Sequence, residues 1–400
     1  MGTRLGVTAS TQEIEPALGI DARLTEIERQ VDVLLNLTPL NGAEAWDDFK
    51  RSDFTVAPTL RLRELDFDPD LVRRELYNLE IEDVADPALH SLFRAKRDEI
   101  ARQITALEDR DTTKFVHGSR QLFGDPSPSL VSSAEQLLAD IEPPAPARGN
   151  VTSGAFADAA RDELEHYRAA YPEFPVEVEV REDVSELMVS SEGHLLIPEA
   201  GTFRADRVEP LLHHEVGTHV VTYQNGARQP LKMLTIGLPG YDETQEGLAL
   251  ISEYVTGGLD PRRLRVLAAR VVAVDLLIAG ATFMEIFETL ESKHRIPRRT
   301  AWSVAVRVVV AGGMVRDAIY LRGISRILEA VASGVDLDVL LVGKLALDHV
   351  DLVQDLLDRG VLEPPWVRPR WLEVPGARER LDRMADGLRV TDLYEGDGER

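Results

Sequence analysis

The chain has 400 residues, no cysteine, and 69 acidic against 45 basic side chains, a formal charge of −24. That length suggests two or three folding units. The acidity excludes the sequence-independent phosphate attraction of nucleic-acid binders, and it offers no pull toward an anionic membrane surface. Without cysteine there is no disulfide framework, no thiolate nucleophile and no thiolate metal site. The opening residues, MGTRLGVTASTQEIEP, lack the apolar core of a signal peptide, and Gly6 stands where a myristoylation signal needs Ser or Thr. The most apolar stretch, Val271 to Met284, contains Asp275 and is too short to span a bilayer. The expectation is a soluble cytoplasmic protein with no nucleic-acid and no membrane partner; the oligomeric state stays open.

In chain order, residues 1–20 are polar and read as a loose N-terminus. Asp21 reads as the N-cap of a helix carrying Leu24, Ile27, Val31, Leu34 and Leu35 on one face. A second helix places Phe93, Ile100, Ile104 and Leu107 together. Phe115 to Pro126 is turn-rich and expected to pack on a neighbour, and Glu142 to Gly149 is the best linker. Beyond it, Phe156, Ala160, Leu164, Tyr167 and Tyr171 form an amphipathic helix closed by Pro172. Val176, Val178 and Val180 alternate with charged residues as in a half-buried strand. A hairpin follows, Leu187 to Ser190 with His194 to Pro198, around the turn Ser191-Glu192-Gly193. From Asp206 the chain reads as helical, with breaks at Pro230 to Tyr241, Gly257 to Pro261, Pro297 and Gly312-Gly313. The regions are therefore a flexible 1–20, an N-terminal helical region 21–141, a catalytic region 150–390 and an acidic tail 391–400. The layout is α+β and predominantly helical, with a small sheet ahead of the helices.

Three of the nine histidines fall at 213, 214 and 219. The helix that holds them reads as opening at Asp206, with Glu209 three residues later, and as stopping at Asn225-Gly226. His-Glu-x-x-His puts an i, i+4 pair on one metal, but His214-Glu-Val-Gly-Thr-His219 has one residue more. On a regular helix i+5 lies roughly 140° around the axis, against roughly 40° for i+4. Both imidazoles meet one ion only if the helix carries a π-bulge, for which Gly217 is the softest position. The alternative is that these are capped or surface histidines on an amphipathic helix.

Two histidines, one carboxylate and an open position make a hydrolytic zinc site. Glu246, at the start of the next helix, is the candidate carboxylate, and Gly247 and Ala249 would let that helix approach the histidine helix closely. Glu253, seven residues on, shares its face and is available to support a ligand from behind, or is merely a solvated helix carboxylate.

His214-Glu-Val-Gly-Thr-His219, Gln245-Glu-Gly-Leu-Ala249 and Gly312-Gly-Met-Val-Arg-Asp-Ala-Ile-Tyr-Leu-Arg-Gly323 resemble the motifs of the QEGLA-motif proteins, which include the microtubule-associated tyrosine carboxypeptidases. The likeness extends more weakly to the hairpin and to Phe115 through Pro126. It implies zinc as cofactor, held by His214, His219 and Glu246, with Glu215 activating water. It also implies a peptide or protein C-terminus as substrate, with an aromatic last residue. The fold expected is a zincin-like metallopeptidase core with the small sheet and an N-terminal helical region. Tyr320, placed by the third motif, is the candidate donor to the oxyanion, or else a core tyrosine. A free α-carboxylate is best gripped by an arginine fork, and Arg307, Arg316 and Arg322 are the candidates, or else partners of the abundant acids. Met314-Val315-Arg316-Asp317 departs from the family's Phe-Thr-Lys-Asp, and Val308-Val-Val-Ala311 replaces its second Arg-Gly, both where substrate is gripped. Two rivals share the same residues: a metallo-endopeptidase or maturation protease with one dedicated substrate, and a regulatory protein with a structural metal. Glu215 speaks against the last, since a structural site has no use for a base.

Overall fold

The computed structural model describes residues 8–145, 149–184 and 186–394, with the side chains of all but 8–13. Helix α1 (Thr8–Val31) starts well before Asp21, so the expected loose segment is helical from Thr8. Asp21 is not its cap. The side chain is buried inside α1 and accepts the Met233 amide at 3.0 Å, anchoring α1 to the short helix Met233–Ile236. Helix α2 (Pro87–Glu108) begins as its sequence dictates, with Asp86 accepting the Ala88 and Leu89 amides and Pro87 in the first turn. Its buried face is Leu89, Phe93, Ile100, Ile104 and Leu107.

Phe115–Phe123 is a helix rather than a run of turns. It does pack on a neighbour: a Cβ at Gly118 would lie 3.1 Å from that of Ala106 in α2, and Ser119 accepts the Val315 amide at 2.9 Å. The linker's central residues, 146–148, lie outside the described residues.

Strand β1 (Asn150–Thr152) leads into helix α3 (Ser153–Ala170). β2 (Val178–Arg181), β3 (Met188–Val189) and β4 (Leu195–Pro198) make one sheet, in which β4 is central, parallel to β2 and antiparallel to β3. The predicted hairpin is present, with Met188 opposite Leu196. β5 (Thr202–Arg204) returns to pair with β1. The central strand β4 is buried throughout, as expected of a strand covered on both faces.

The helical remainder runs through α4 (Val208–His214), α5 (Val221–Arg228), α6 (Tyr241–Val255), α7 (Pro261–Ile278), α8 (Arg298–Val309) and α9 (Ile319–Ala332). Arg207 rather than Asp206 precedes α4, and Asp206 pairs with Arg204 instead. Asn225 and Gly226 do not stop the histidine helix either. Asn225 is buried within α5, donating to the Leu341 and Val367 carbonyls and accepting the Val367 amide. Gly312 and Gly313 adopt φ of 104° and 129°, conformations open to glycine, and turn the chain between α8 and α9. Of the acidic tail, residues up to 393 form a last turn with Leu393 buried, and 395–400 lie outside the described residues.

Two apolar cores result. The larger joins the helices before residue 141 to those after 231, so it crosses the boundary the sequence suggested. The smaller gathers α3, the β4 residues Leu195 and Ile197, and Val216, Val220 and Val221 from around the end of α4. Among the described residues no helix is long and apolar enough to cross a membrane.

Candidate metal centre

Between α4 and α5 the helix widens to a π-turn over Glu215–Val220, where the five-residue histidine spacing demanded it. A widened turn leaves carbonyls without their usual donors, and in a buried helix each needs another. Trp371, fully buried, donates its indole N–H to the Gly217 carbonyl at 3.1 Å. Thr218 and Thr222 donate their hydroxyls to the His213 and Thr218 carbonyls at 3.2 and 2.8 Å. Gly217 is required for closeness as well as for softness, since a Cβ there would stand 3.0 Å from the Trp371 ring.

The distortion brings the His214 and His219 rings within 5.1 Å of each other. Their Nε2 atoms lie 3.8 and 3.9 Å from one and the same oxygen, Oε2 of Glu246 on α6. Three donor atoms, one from each residue, fall within 4.8 Å of one another. Donors sharing a tetrahedral zinc at about 2.0–2.1 Å would stand roughly 3.4 Å apart. The two histidine–glutamate separations are within about half an ångström of that spacing, and the donor types are those of such an ion.

Each donor is held from behind. His214 sets its Nδ1 2.8 Å from Glu253, leaving Nε2 to face Glu246. Glu253, fully buried, also receives Arg207 at 2.7 Å and Arg263 at 3.4 Å. It is thus no solvated carboxylate but the anchor of His214. Gln245 accepts the Thr222 hydroxyl at 2.7 Å and lies beside His219. Glu246 divides its oxygens: Oε2 faces the imidazoles and Oε1 receives Arg316 at 3.2 Å. Gly247 does permit a close approach, but to α9 rather than to the histidine helix; a Cβ there would lie 2.6 Å from the Gly323 carbonyl oxygen.

Charge follows this arrangement. Burial works to raise the Glu246 pKa, yet Arg316, both imidazoles and the Tyr320 hydroxyl bring it down to about 2. Burial holds His219 down to about 4, a neutral imidazole with a lone pair to give. Glu215 is the exception. Burial, with Glu246 and Glu253 nearby, pushes its carboxyl up to about 7, and its side chain makes no ion pair among the described residues.

Of the residues expected to hold substrate, all three arginines are engaged by acids. Arg316 donates to Asp242 at 2.7 Å as well as to Glu246. Arg307 forks onto Asp317 at 2.8 and 2.9 Å and reaches Glu186 at 3.3 Å. Arg322 pairs with Glu243 and the Phe123 carbonyl, which ties α9 to the Phe115–Phe123 helix. Tyr320 lies at the centre, its hydroxyl 3.4 Å from Arg316 Nη1 and its ring 4.6 Å from the Arg270 guanidinium. Sequence reasoning missed Arg207, Arg263, Asp242 and Lys344. The last had a signal, a lone cation in the apolar run Leu340-Leu-Val-Gly-Lys-Leu-Ala-Leu347.

Fold and site define a predominantly helical α+β protein with a two-histidine, one-glutamate donor cluster and a free carboxylate beside it. The sequence pattern of the family described as microtubule-associated tyrosine carboxypeptidase matches residues 47–389, and the chain belongs to that family. The human protein named microtubule-associated tyrosine carboxypeptidase 1 is 28% identical over 201 residues, which make up 47% of this chain and 41% of the human one. The match thus spans less than half of that relative's length.

Proposed function

We propose that this chain is a zinc-dependent, carboxypeptidase-like hydrolase that removes one C-terminal residue, aromatic by family likeness, from a peptide or protein. The observation that carries the reading is the convergence of His214 and His219 Nε2 on a single oxygen of Glu246 across a π-turn. A helix distorted and then re-satisfied at Trp371, Thr218 and Thr222 is costly to build, and such distortions gather at functional sites. Family membership supports the peptidase class. The lack of cysteine suits a reducing compartment such as the cytoplasm.

His214, His219 and Glu246 would hold the ion, which supplies Lewis-acid polarisation of the scissile carbonyl and acidifies water. Glu215, buried and free of ion pairs, takes the proton from the attacking water and delivers it to the leaving amine. Its raised pKa suits both halves of that task, since it must accept and release a proton near neutrality. Tyr320, whose hydroxyl lies near Glu246 and 3.4 Å from Arg316, is the donor for the developing oxyanion. Arg316 fixes Glu246 and leaves Oε2 facing the two imidazoles.

The test is mass spectrometry of a peptide ending in tyrosine after incubation with zinc-loaded protein. Loss of the single terminal residue, stopped by a chelator and restored by zinc, is the expected result. Internal fragments would make it an endopeptidase; an intact peptide with zinc bound would make the metal structural.

A further inference from the structure

Carboxypeptidase action needs a fixed cation for the substrate's free α-carboxylate, and an arginine already neutralised by its own acids is poorly placed to be that cation. Around the centre, Arg316 is committed to Asp242 and Glu246, Arg307 to Asp317 and Glu186, Arg322 and Arg326 to Glu243, and Arg207 and Arg263 to Glu253. Lys344 differs. Its ammonium has no hydrogen bond and no ion pair among the described residues. Two phenol rings stand by it, with centroids 5.6 Å away for Tyr223 and 5.8 Å for Tyr241. Yet it is near enough to His219, Glu246 and Asp242 to act on them through space.

The subsite around it is rigid. The Lys344 amide donates to the Leu234 carbonyl and its carbonyl accepts the Leu238 amide, each at 2.9 Å. Gly343 lets this segment lie against Gly226, where a Cβ would meet the Gly226 Cα at 3.2 Å. Tyr223 is pinned by its hydroxyl to the Ser191 carbonyl at 2.8 Å, and Tyr241 packs over Gly237. Burial pushes the ammonium down to about 8, and Asp242 and Glu246 restore part of that loss. A half-buried cation with no anion in direct contact gains from one that a bound ligand brings.

We propose that Lys344 anchors the free α-carboxylate of the substrate, in a subsite walled by the rings of Tyr223 and Tyr241 that receives the terminal side chain. This rests on the carboxypeptidase reading above. It assigns the carboxylate grip to a lysine and leaves the three arginines of the later motif to structure. It also gives an aromatic terminal residue a reason, since two fixed rings stand beside the anchoring point.

The experiment measures binding of an acetylated peptide ending in tyrosine, as free acid and as C-terminal amide, to full-length zinc-loaded protein in a Glu215→Gln background that suppresses turnover. The acid should bind about ten- to a hundredfold more tightly than the amide, the usual worth of a charge-assisted contact. In Lys344→Met that ratio should fall to near one, and in Lys344→Arg most of it should remain. Zinc content and melting temperature verify that each variant is folded, and Lys344→Gln replaces Lys344→Met if the latter is not. An acid–amide ratio that survives loss of the lysine, or its absence from the Lys344-containing protein, overturns the proposal. Product mass from the protein with Glu215 intact judges the carboxypeptidase reading separately, because internal cleavage overturns that reading without touching the ratio.

Discussion

The two helices that form the centre solve the same problem in opposite ways. The histidine helix breaks its own regularity to bring residues five apart onto one point, and it belongs to the smaller core. Helix α6 stays regular and carries one donor of the cluster and both supports at natural spacings: Gln245 beside Glu246, and Glu253 two turns further on the same face. It belongs to the larger core. The donors thus stand on the seam between two packing units. The lesson is that an irregular element needs support from outside itself, here from Trp371, whereas a regular one supports itself and its neighbour.

Breaking either side should show this asymmetry. His214→Ala, His219→Ala or Glu246→Ala should each abolish stoichiometric zinc, measured by metal analysis, from about one per chain in the parent. Full occupancy in all three would dissolve the comparison altogether. Trp371→Ala removes a fully buried ring and orphans the Gly217 carbonyl, and should cost about 3–5 kcal/mol in denaturant unfolding. Trp371→Phe, which keeps most of the volume, isolates the hydrogen bond at about 1–3 kcal/mol. On the regular side, Gly247→Ala forces a methyl against the Gly323 backbone and should cost about 1–3 kcal/mol in the same assay. Equal costs for Trp371→Phe and a surface substitution would mean that the bulge needs no outside donor.

The smallest effect sharpens the view of α6. Glu253→Gln keeps an acceptor for His214 Nδ1 but removes the charge that Arg207 and Arg263 balance. Competition with a chelator should show zinc affinity lowered by about ten- to a hundredfold. Unchanged affinity would return Glu253 to a purely structural role.

How much of this was legible depended on whether the signal was local. The π-turn was readable because spacing is local: a step of five residues from one histidine to the next leaves a helix no other way to aim both at Glu246. The hairpin and the second long helix were readable from periodicity for the same reason. Asp21 was not, because a carboxylate that caps another helix, at Met233, looks in sequence like a cap of its own. Glu253 was ambiguous until its partners, Arg207 and Arg263, came from separate segments. Trp371 lies 154 residues from Gly217, and nothing near either residue announces the bond. Gly247 advertised a close approach, but sequence does not say to what, and the neighbour is α9. The partners of the three arginines were not legible, because the acids that engage them are scattered from Glu186 to Asp317.

The central claim is that an ion held by His214, His219 and Glu246 works together with Glu215, which is not one of its ligands. Glu215→Gln tests it most directly, with zinc content and release of the C-terminal residue measured on one preparation. The account predicts full zinc and a rate lowered by roughly two to four orders of magnitude, the usual worth of a positioned general base. Parental turnover with zinc still bound, or loss of zinc on this substitution, would contradict it.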